Sequence, residues 1–343
     1  MTAGRSIPMT ALAPDGPLVS RIGLGLAALG RPAYITGGRA RDLPDRSVTG
    51  LRARTSAMLD AAYAAGIRYF DAARSYGRAE EFLGGWLAGC GHGDAVAGSK
   101  WGYRYTGGWR LDAEQHEVKE HSLAMLTAQL AQTRALLGDR LALYQVHSLT
   151  AESGLLDDRG LLGALARLRA DGVLIGVTTS GPGQADTLRR ALRVTVDGQP
   201  LFTVAQVTWN LLEPSVAVAA AEAAAAGWTI LIKEALANGR LAPGGGLPAG
   251  GDPAGPLAPD RSGPAAPLAR LAARAADLSV TVDAVALAAA LANPWASVVL
   301  SGAVTPRQLQ ANLAALDVGD LADLDLAAPP GTYWAARSAR PWQ

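Results

Sequence analysis

The chain has 343 residues, of which 49% are hydrophobic, and its 31 basic residues balance 30 acidic ones. This composition can bury a large core, and the balanced charge argues against nucleic acid or an anionic membrane surface as a partner. The single cysteine, Cys90, excludes an internal disulfide, and no zinc-site spacing of His and Cys occurs, so we expect no metal. The N-terminus lacks an apolar signal core, and Asn293 and Pro294 interrupt the longest apolar stretch. We therefore expect a protein of the cytoplasm.

Short β-rich runs alternate with longer helical segments along almost the whole chain. The predicted strands are Arg21–Leu26, Ile67–Asp71, Ala95–Lys100, Leu141–His147, Val173–Thr178, Thr203–Trp209, Thr229–Lys233 and Ser297–Ser301. The predicted helical segments include Thr55–Ala65, Lys119–Leu137, Leu161–Ala170, Pro214–Ala226 and Thr281–Ala292.

Strand–helix units repeated eight times predict a parallel sheet, and this number favours a closed (β/α)8 TIM barrel, with residues 1–343 as a single domain. The alternative is an open, doubly wound sheet. A nucleotide-binding sheet of that kind would carry a complete GxGxxG after its first strand, and Gly23-Leu24-Gly25 has only the first half of it.

Two stretches stand outside the repeat. Arg31–Gly50 is a polar insertion after the first strand, and Ala242–Ala266, rich in Gly, Pro and Ala, follows the seventh. Because both follow strands, both should lie at the C-terminal face of the barrel, where barrel enzymes have their active sites. We expect the second stretch to be a mobile loop.

Four chemically capable side chains follow the second, third and fourth strands. Asp71, Lys100 and His147 end these strands, and Tyr76 lies in the loop after the second. Each alone has a simpler interpretation, such as a helix cap, a structural ion pair or a packed ring. Adjacent barrel strands, however, direct all of them into one pocket. There an ammonium lowers the pKa of a phenol, a carboxylate orients the ammonium, and an imidazole hydrogen-bonds a substrate carbonyl.

The residues around these positions resemble the motifs of the aldo-keto reductase family. The segment DAARSYG at 71–77, followed by Glu80, Glu81 and Leu83-Gly84, is similar to the family's D-T-A-x-x-Y-G…E-x-x-L-G. Further similar segments are SKWG at 99–102, YQVH at 144–147, GVTTS at 176–180, QVTWN at 206–210 and GAVTPRQLQAN at 302–312. The resemblance extends in register from about Ile22 to Leu316.

The resemblance implies NAD(P)H-dependent reduction of an aldehyde or ketone, or the reverse oxidation of an alcohol. It implies that Tyr76 donates the proton, that Lys100 and Asp71 tune Tyr76, and that His147 orients the carbonyl. The implied cofactor is NADP, with NAD as the alternative. The implied partner is a small-molecule carbonyl or alcohol substrate.

The resemblance also implies a cofactor-binding set along the strand ends. Gln206 would hold the nicotinamide carboxamide together with Thr178 and Thr179. The adenosine end would lie along Gly302, Gln308 and Asn312.

The chain departs from the family pattern after the seventh strand, where the family usually reads Y-S-P-L-A-x-G. Lys233, one of three lysines, replaces the aromatic residue that stacks on nicotinamide, and Glu234 replaces the serine. We expect Lys233 to point into the mouth and contact the cofactor, with Gly239 and Arg240 nearby. Glu234, next along an extended strand, should point the opposite way. A carboxylate there would repel the pyrophosphate unless Lys233 or Arg240 neutralises it.

Two other functions stay open on the sequence. A protein of the same fold can hold a nucleotide as a regulatory subunit, although such a protein does not need all four catalytic-type residues. A non-redox barrel enzyme can use Lys233 as a Schiff-base amine, which the set of acid, phenol, amine and imidazole fits less well. The substrate itself depends on variable loops.

Overall fold

The computed structural model describes residues 6–89, 91–243, 265–319, 321 and 324–343. Cys90 and most of the Gly- and Pro-rich stretch predicted at 242–266 lie outside the described residues. Within the described residues, no helix combines the length and the apolar character needed to cross a membrane.

Within the described ranges, eight parallel strands close into a barrel in chain order. These barrel strands are β1 (Ile22–Gly25), β2 (Tyr69–Asp71), β3 (Val96–Trp101), β4 (Leu141–Leu149), β5 (Leu174–Thr179), β6 (Val204–Thr208), β7 (Thr229–Lys233) and β8 (Val298–Ser301). The last strand pairs with the first, through Val299 opposite Ile22, so the sheet has no open edge. The predicted (β/α)8 barrel is confirmed, and the open-sheet alternative is wrong.

The barrel has a packed interior that is closed below by the N-terminus. Tyr69, Val96 and Leu143 point inward and share one buried cluster with Leu12 and Val19. A short antiparallel hairpin, Met9–Ala11 with Leu18–Ser20, lies directly before β1; Val19 is in its second strand, and Leu12 directly follows its first. Because β1 starts here, the hairpin seals the end of the barrel opposite the strands' carboxyl ends. The sequence analysis did not predict this hairpin.

The helices form the layer outside the sheet and bury a second, larger core against it. They are α1 (Arg39–Asp42), α2 (Val48–Ala64), α3 (Ala79–Gly89), α4 (Leu123–Leu137), α5 (Arg159–Ala170), α6 (Gln184–Leu192), α7 (Ala217–Ala225), α8 (Ala265–Asp277), α9 (Val282–Leu291), α10 (Pro306–Leu313) and α11 (Pro330–Ser338).

The structure moves two predicted helix starts by four residues or more, and helix α2 begins at Val48 and not at Thr55. Helix α4 begins at Leu123 and not at Lys119, because Glu117–Lys119 pairs as a strand with Tyr103–Tyr105. Ser122 then caps the helix by accepting a hydrogen bond from the amide of Met125 at 3.1 Å. The antiparallel pair, here called the β3 hairpin (residues 103–119), lies over the strand ends and brings new side chains to the mouth.

The insertion that starts at Arg31 contacts the end of the chain. The amide of Tyr34 donates to the carbonyl of Gln343, and the amide of Gln343 donates back to Tyr34, both at 3.1 Å. Arg340 also donates to the carbonyl of Ile35 at 2.9 Å. The C-terminal tail (residues 339–343) therefore forms part of the rim above the strand ends.

Two neighbouring glycines of α3 give a stability prediction with an internal control. A Cβ on Gly84 would lie 2.2 Å from the backbone oxygen of Leu136, whereas a Cβ on Gly85 would meet nothing within 4 Å. Gly84→Ala should therefore cost about 1–3 kcal/mol through overpacking against α4. Gly85→Ala, on the exposed side of the same helix, should gain up to about 1 kcal/mol of helix propensity. The midpoints of denaturant unfolding of the two variants should move in opposite directions; equal shifts would contradict the packing.

Candidate active site

A buried ion pair lies at the centre of the strand ends. Asp71 pairs across the sheet with Gly98, which places Lys100, two residues further along β3, on the same side as the carboxylate. The Lys100 ammonium donates to Asp71 Oδ2 and, at 2.9 Å, to the carbonyl of Ala72. Both side chains are almost fully buried. Burial lowers the pKa of Lys100, while the Asp71 carboxylate opposes that shift.

The other oxygen of Asp71 is also satisfied. Gln206 Nε2, from β6, donates to Asp71 Oδ1 at 3.0 Å, and the Tyr69 hydroxyl donates to it at 3.3 Å. The tyrosine fits there only because Gly98 has no side chain, since a Cβ would lie 2.2 Å from the Tyr69 hydroxyl. Asp71 is thus held rigidly from three strands.

Tyr76 lies directly beside this pair. The Lys100 ammonium is 4.7 Å from the centre of the Tyr76 ring. Burial and then the Asp71 charge raise the pKa of the Tyr76 phenol well above its ordinary value, and Arg31 opposes this. The expectation that the site lowers the pKa of Tyr76 is therefore wrong for this structure, because burial and the Asp71 charge outweigh the opposing charge of Arg31. The phenol stays protonated at neutral pH.

His147 completes the predicted set at the end of β4. Its ring packs edge-on against Tyr76, with 5.5 Å between the ring centres, and its Nδ1 lies 3.4 Å from Ser75 Oγ. Burial, then the charges of Lys100 and other cations, lowers the pKa of His147 well below its ordinary value. The imidazole is therefore neutral at physiological pH and carries one N–H donor.

The structure places three side chains at the mouth that the sequence analysis missed. Arg31, from the insertion, donates from Nη1 to Glu117 Oε2 at 2.8 Å and to the Ser75 carbonyl at 3.1 Å. Its guanidinium carbon lies 5.1 Å from the Tyr76 ring centre and 4.7 Å from that of Trp342. Arg31 follows β1 at the carboxyl end of the strand, and this position in the sequence could have marked it as a candidate for the site. Glu117 and Trp342 come from the β3 hairpin and the tail, which no local pattern connects to the site.

Lys233 and Glu234 both turn towards the mouth. Lys233 Nζ donates to Thr208 Oγ1 at 2.5 Å. Glu234 has a φ of 57°, so the strand ends before it and its side chain does not point away as predicted. Its carboxylate lies 3.9 Å from Lys233 Nζ and accepts from Arg337 at 2.8 and 2.5 Å. Burial lowers the pKa of Lys233 to about 8. Burial raises the pKa of Glu234, but the charges of Arg337 and Lys233 and the hydrogen bonds to the carboxylate together lower it to about 2.

The other residues expected to bind a cofactor are less available. Thr178 Oγ1 accepts from the Ser148 amide at 2.6 Å, and Thr179 Oγ1 donates to Gln184 at 3.4 Å. Arg240, half-buried beyond Gly239, lies 5.6 Å from the Tyr333 ring centre.

The segment after β8 is open at one point and bonded at two others. Gly302 is exposed, and a Cβ there would meet nothing within 4 Å. Gln308 donates to Asp42 at 2.9 Å and accepts from the Val304 amide at 2.9 Å. Asn312 is buried between Ser301 and Asp283. These two amides therefore already serve structural bonds.

Comparison with known proteins gives the family. The model of the aldo/keto reductase family matches residues 21–328. The chain belongs to the aldo-keto reductase family. It is therefore an oxidoreductase of a family that generally uses nicotinamide cofactors. Among the described residues of this aldo-keto reductase, no group of three or more His, Cys, Asp or Glu side chains is placed to hold a metal.

Solved structures with the same fold include two bacterial proteins. An aldo-keto reductase from Bacillus halodurans, in its holo form, gives a TM-score of 0.65 at 20% identity, over 96% of each chain. The glycerol dehydrogenase of Gluconobacter oxydans gives 0.63 at 22% identity, over 91% of this chain and 90% of its own. At these identities the likeness shows the fold alone. No curated protein sequence matches the chain.

The Glu234–Arg337 pair gives a stability prediction. Arg337→Gln leaves a carboxylate that is only 8% exposed with a single cation 3.9 Å away, so it should cost up to about 3–5 kcal/mol. Adding Glu234→Gln removes the unpaired charge, so the double variant should recover part of that loss. Denaturant unfolding of both single variants and the double variant measures the coupling. Additive losses would contradict a direct pair.

Proposed function

We propose that this aldo-keto reductase interconverts an aldehyde or ketone and the corresponding alcohol, with NAD(P)H as the hydride carrier and Tyr76 as the proton donor. The supporting observation is a single buried cluster in which the Tyr76 ring lies 4.7 Å from the Lys100 ammonium and 5.5 Å from the His147 ring. When bound, the nicotinamide nucleotide supplies or accepts the hydride. The remaining chemistry belongs to the side chains.

Tyr76, His147 and Lys100 have complementary roles in this proposal. The raised pKa of Tyr76 keeps the phenol protonated, ready to give its proton to the substrate oxygen during reduction. The neutral imidazole of His147 donates a hydrogen bond to the same oxygen as it gains charge. Lys100 stabilises the phenolate that remains, and Asp71 holds the ammonium against the cost of burial. The side chains of Tyr76, His147 and Lys100 are all buried and are therefore shielded from water.

The charge distribution at the mouth fits an anionic nucleotide. The sequence left Glu234 as an obstacle to a pyrophosphate, but Arg337 neutralises that carboxylate. Lys233 then adds positive charge beside the catalytic cluster, and Arg240 lies on the same side of the rim. Exposed Gly302 leaves room for a ligand to approach the backbone after β8.

We extend the proposal to the individual contacts. Among the proposed cofactor-binding residues, Lys233 lies nearest the catalytic cluster. The side-chain amide of Gln206 donates to Asp71 and would also bind the nicotinamide carboxamide. Thr178 and Thr179 stay in the proposed set by position, although each would have to share or exchange its present bond.

The rest of the proposed set lies around the outer rim. The adenosine end of the cofactor would lie along Gly302, Gln308 and Asn312, and Gly239 and Arg240 would flank it. NADP is the preferred nucleotide in this proposal, because Arg240 is a cation suited to a 2′-phosphate. Titration with NADPH and NADH separates the two cofactors. Tight nucleotide binding without turnover of any carbonyl or alcohol, glycerol included, would instead favour the regulatory function.

Tyr76→Phe tests the proton donor. Loss of the hydroxyl should lower the turnover number for carbonyl reduction by about 10²–10⁴, the usual contribution of general acid catalysis, and leave nucleotide affinity nearly unchanged. Tyr105→Phe is the matched control, since its hydroxyl accepts only a backbone amide at the rim, 3.1 Å away. If Tyr76→Phe keeps most of the parent's turnover number, another group supplies the proton.

Lys233→Met tests the cofactor contact. The change should weaken nucleotide binding by about 1–3 kcal/mol, the range for a hydrogen bond to a charged group, and Lys233→Arg should recover part of that loss. Because the pKa of Lys233 is about 8, the parent protein should also lose nucleotide affinity as the pH rises from 7 to 9. Lys233→Met should lose less over the same interval. Parallel pH curves, or unchanged dissociation constants, would make Lys233 a structural partner of Glu234.

A further inference from the structure

Arg31 contacts the catalytic segment at two points. It is only 2% exposed, and its guanidinium lies between the ring of Tyr76 and the side chains that close the mouth. Nη1 donates to the carbonyl of Ser75, the residue directly before Tyr76, while the guanidinium carbon lies 5.1 Å from the Tyr76 ring centre. The Ser75 hydroxyl in turn approaches His147 Nδ1 at 3.4 Å. One cation therefore touches the short segment that carries the phenol and faces the imidazole.

One nearby residue and two distant segments of the chain hold Arg31 in this place. Nε donates to the Ala27 carbonyl at 3.2 Å, and Nη1 donates to Glu117 of the β3 hairpin at 2.8 Å. Trp342 of the C-terminal tail covers the guanidinium at 4.7 Å. The indole is fixed from its other side by stacking on His116, with ring centres 4.4 Å apart and an interplanar angle of 11°. The last residues of the chain thus define where the guanidinium lies.

A buried Arg–Glu pair alone would be an ordinary structural feature, so the position of the cation is what distinguishes this one. When Tyr76 gives up its proton, negative charge develops on the phenol, and a cation near the ring stabilises that state. The same charge lowers the pKa of Tyr76 against the effect of burial. Glu117 accepts from the same Nη1 that donates to the Ser75 carbonyl, and its charge raises the pKa of Tyr76, so it offsets part of the effect of Arg31.

We propose that Arg31 is a positioning residue for Tyr76, and that Trp342 sets the place of Arg31, so that the C-terminal tail controls the proton-transfer step. The proposal rests on the proposed function above. In the reduction a bound nicotinamide would supply the hydride to the carbonyl carbon, and the Tyr76 proton goes to the oxygen, which leaves a phenolate whose ring lies near both Lys100 and Arg31. In the oxidation that phenolate takes the proton back.

The pH dependence of the oxidation reports on this arrangement, because oxidation needs the phenolate. Removing a cation raises the pKa of the phenol, so the limb over which the oxidation rate increases with pH should move to higher pH. The titratable and charged groups that face Tyr76 are Asp71, Lys100, His147, Arg31, Glu117, Glu234 and Tyr34. Of these, Arg31 is the cation that the tail holds.

The test uses Arg31→Met, Arg31→Lys and Trp342→Ala in the full chain. Arg31→Met should lower the oxidation turnover number about tenfold at neutral pH and shift its pH limb about one unit upward, since one pKa unit corresponds to a tenfold change. Arg31→Lys should restore part of both. Trp342→Ala should shift the limb in the same direction by a smaller amount. The dissociation constant for the nucleotide should stay within about twofold.

Arg52→Met is the matched control, because Arg52 also pairs with a carboxylate, Glu81, and covers a ring, Phe82, at 5.0 Å, but lies on α2. It should change neither turnover nor the pH profile. If Arg31→Met lowers only thermal stability and leaves the profile unmoved, Arg31 is a structural ion pair and the proposal is wrong. If Arg31→Met does not fold, the pH profiles of Arg31→Lys and Trp342→Ala are measured instead, and the proposal is wrong if neither profile moves.

Amide exchange separates this proposal from the proposed function. Loss of the Arg31 bond should speed exchange at 75–77 in Arg31→Met relative to α4 in the same sample, with no activity needed. If the parent protein turns over no substrate but this exchange still increases, the proposed function fails while the positioning contact holds. Unchanged exchange at 75–77 overturns the positioning role itself.

Discussion

The site depends on a lysine ammonium buried where the second and third strands of the barrel end. A buried charge without partners costs several kcal/mol, so Lys100 is tolerated because Asp71 and the carbonyl of Ala72 receive its protons. Asp71 is itself held by Gln206 and Tyr69. This chain of hydrogen bonds fixes the ammonium to within a narrow geometry, and Tyr76 and His147 pack onto it. In the proposed mechanism, a cation held in this way stabilises the Tyr76 phenolate without further rearrangement.

The same balance of charges recurs around the rim. Glu117 is paired with Arg31, and Glu234 is paired with Arg337, so each carboxylate is matched by an arginine from a distant segment. Lys233 lies 3.9 Å from a carboxylate that Arg337 already neutralises. Lys233 also donates to Thr208, and in the proposed function its positive charge faces the nucleotide. This explains how the family's usual aromatic and serine can be replaced here by two charged residues without leaving a repulsive carboxylate at the mouth.

Much of this was predictable, because strand ends in a barrel share one face. Strand β7 has the predicted bounds, and the four residues of the expected catalytic set do meet. The predictions that were wrong share one cause, because each depends on a contact between residues far apart in the sequence. The local sequence predicts that Lys119 is helical, but Lys119 pairs with Tyr103 as a strand. The local sequence also predicts an extended Glu234 that points away, but its carboxylate pairs with Arg337. The upward pKa shift of Tyr76 follows from burial, which only the assembled rim creates.

The most direct test of the account follows the hydride and the proton in a single turnover. Purified protein is mixed with a panel of small aldehydes and ketones and with NADPH that carries deuterium at C4 of the nicotinamide, in the position from which hydride is transferred. The masses of the products are then measured by mass spectrometry. Hydride transfer at this site, with Tyr76 as the proton donor, should give an alcohol that carries one deuterium on the former carbonyl carbon, formed by the parent and not by Tyr76→Phe. An alcohol without deuterium, or bound nucleotide that reduces none of the carbonyls, would contradict hydride transfer at this site.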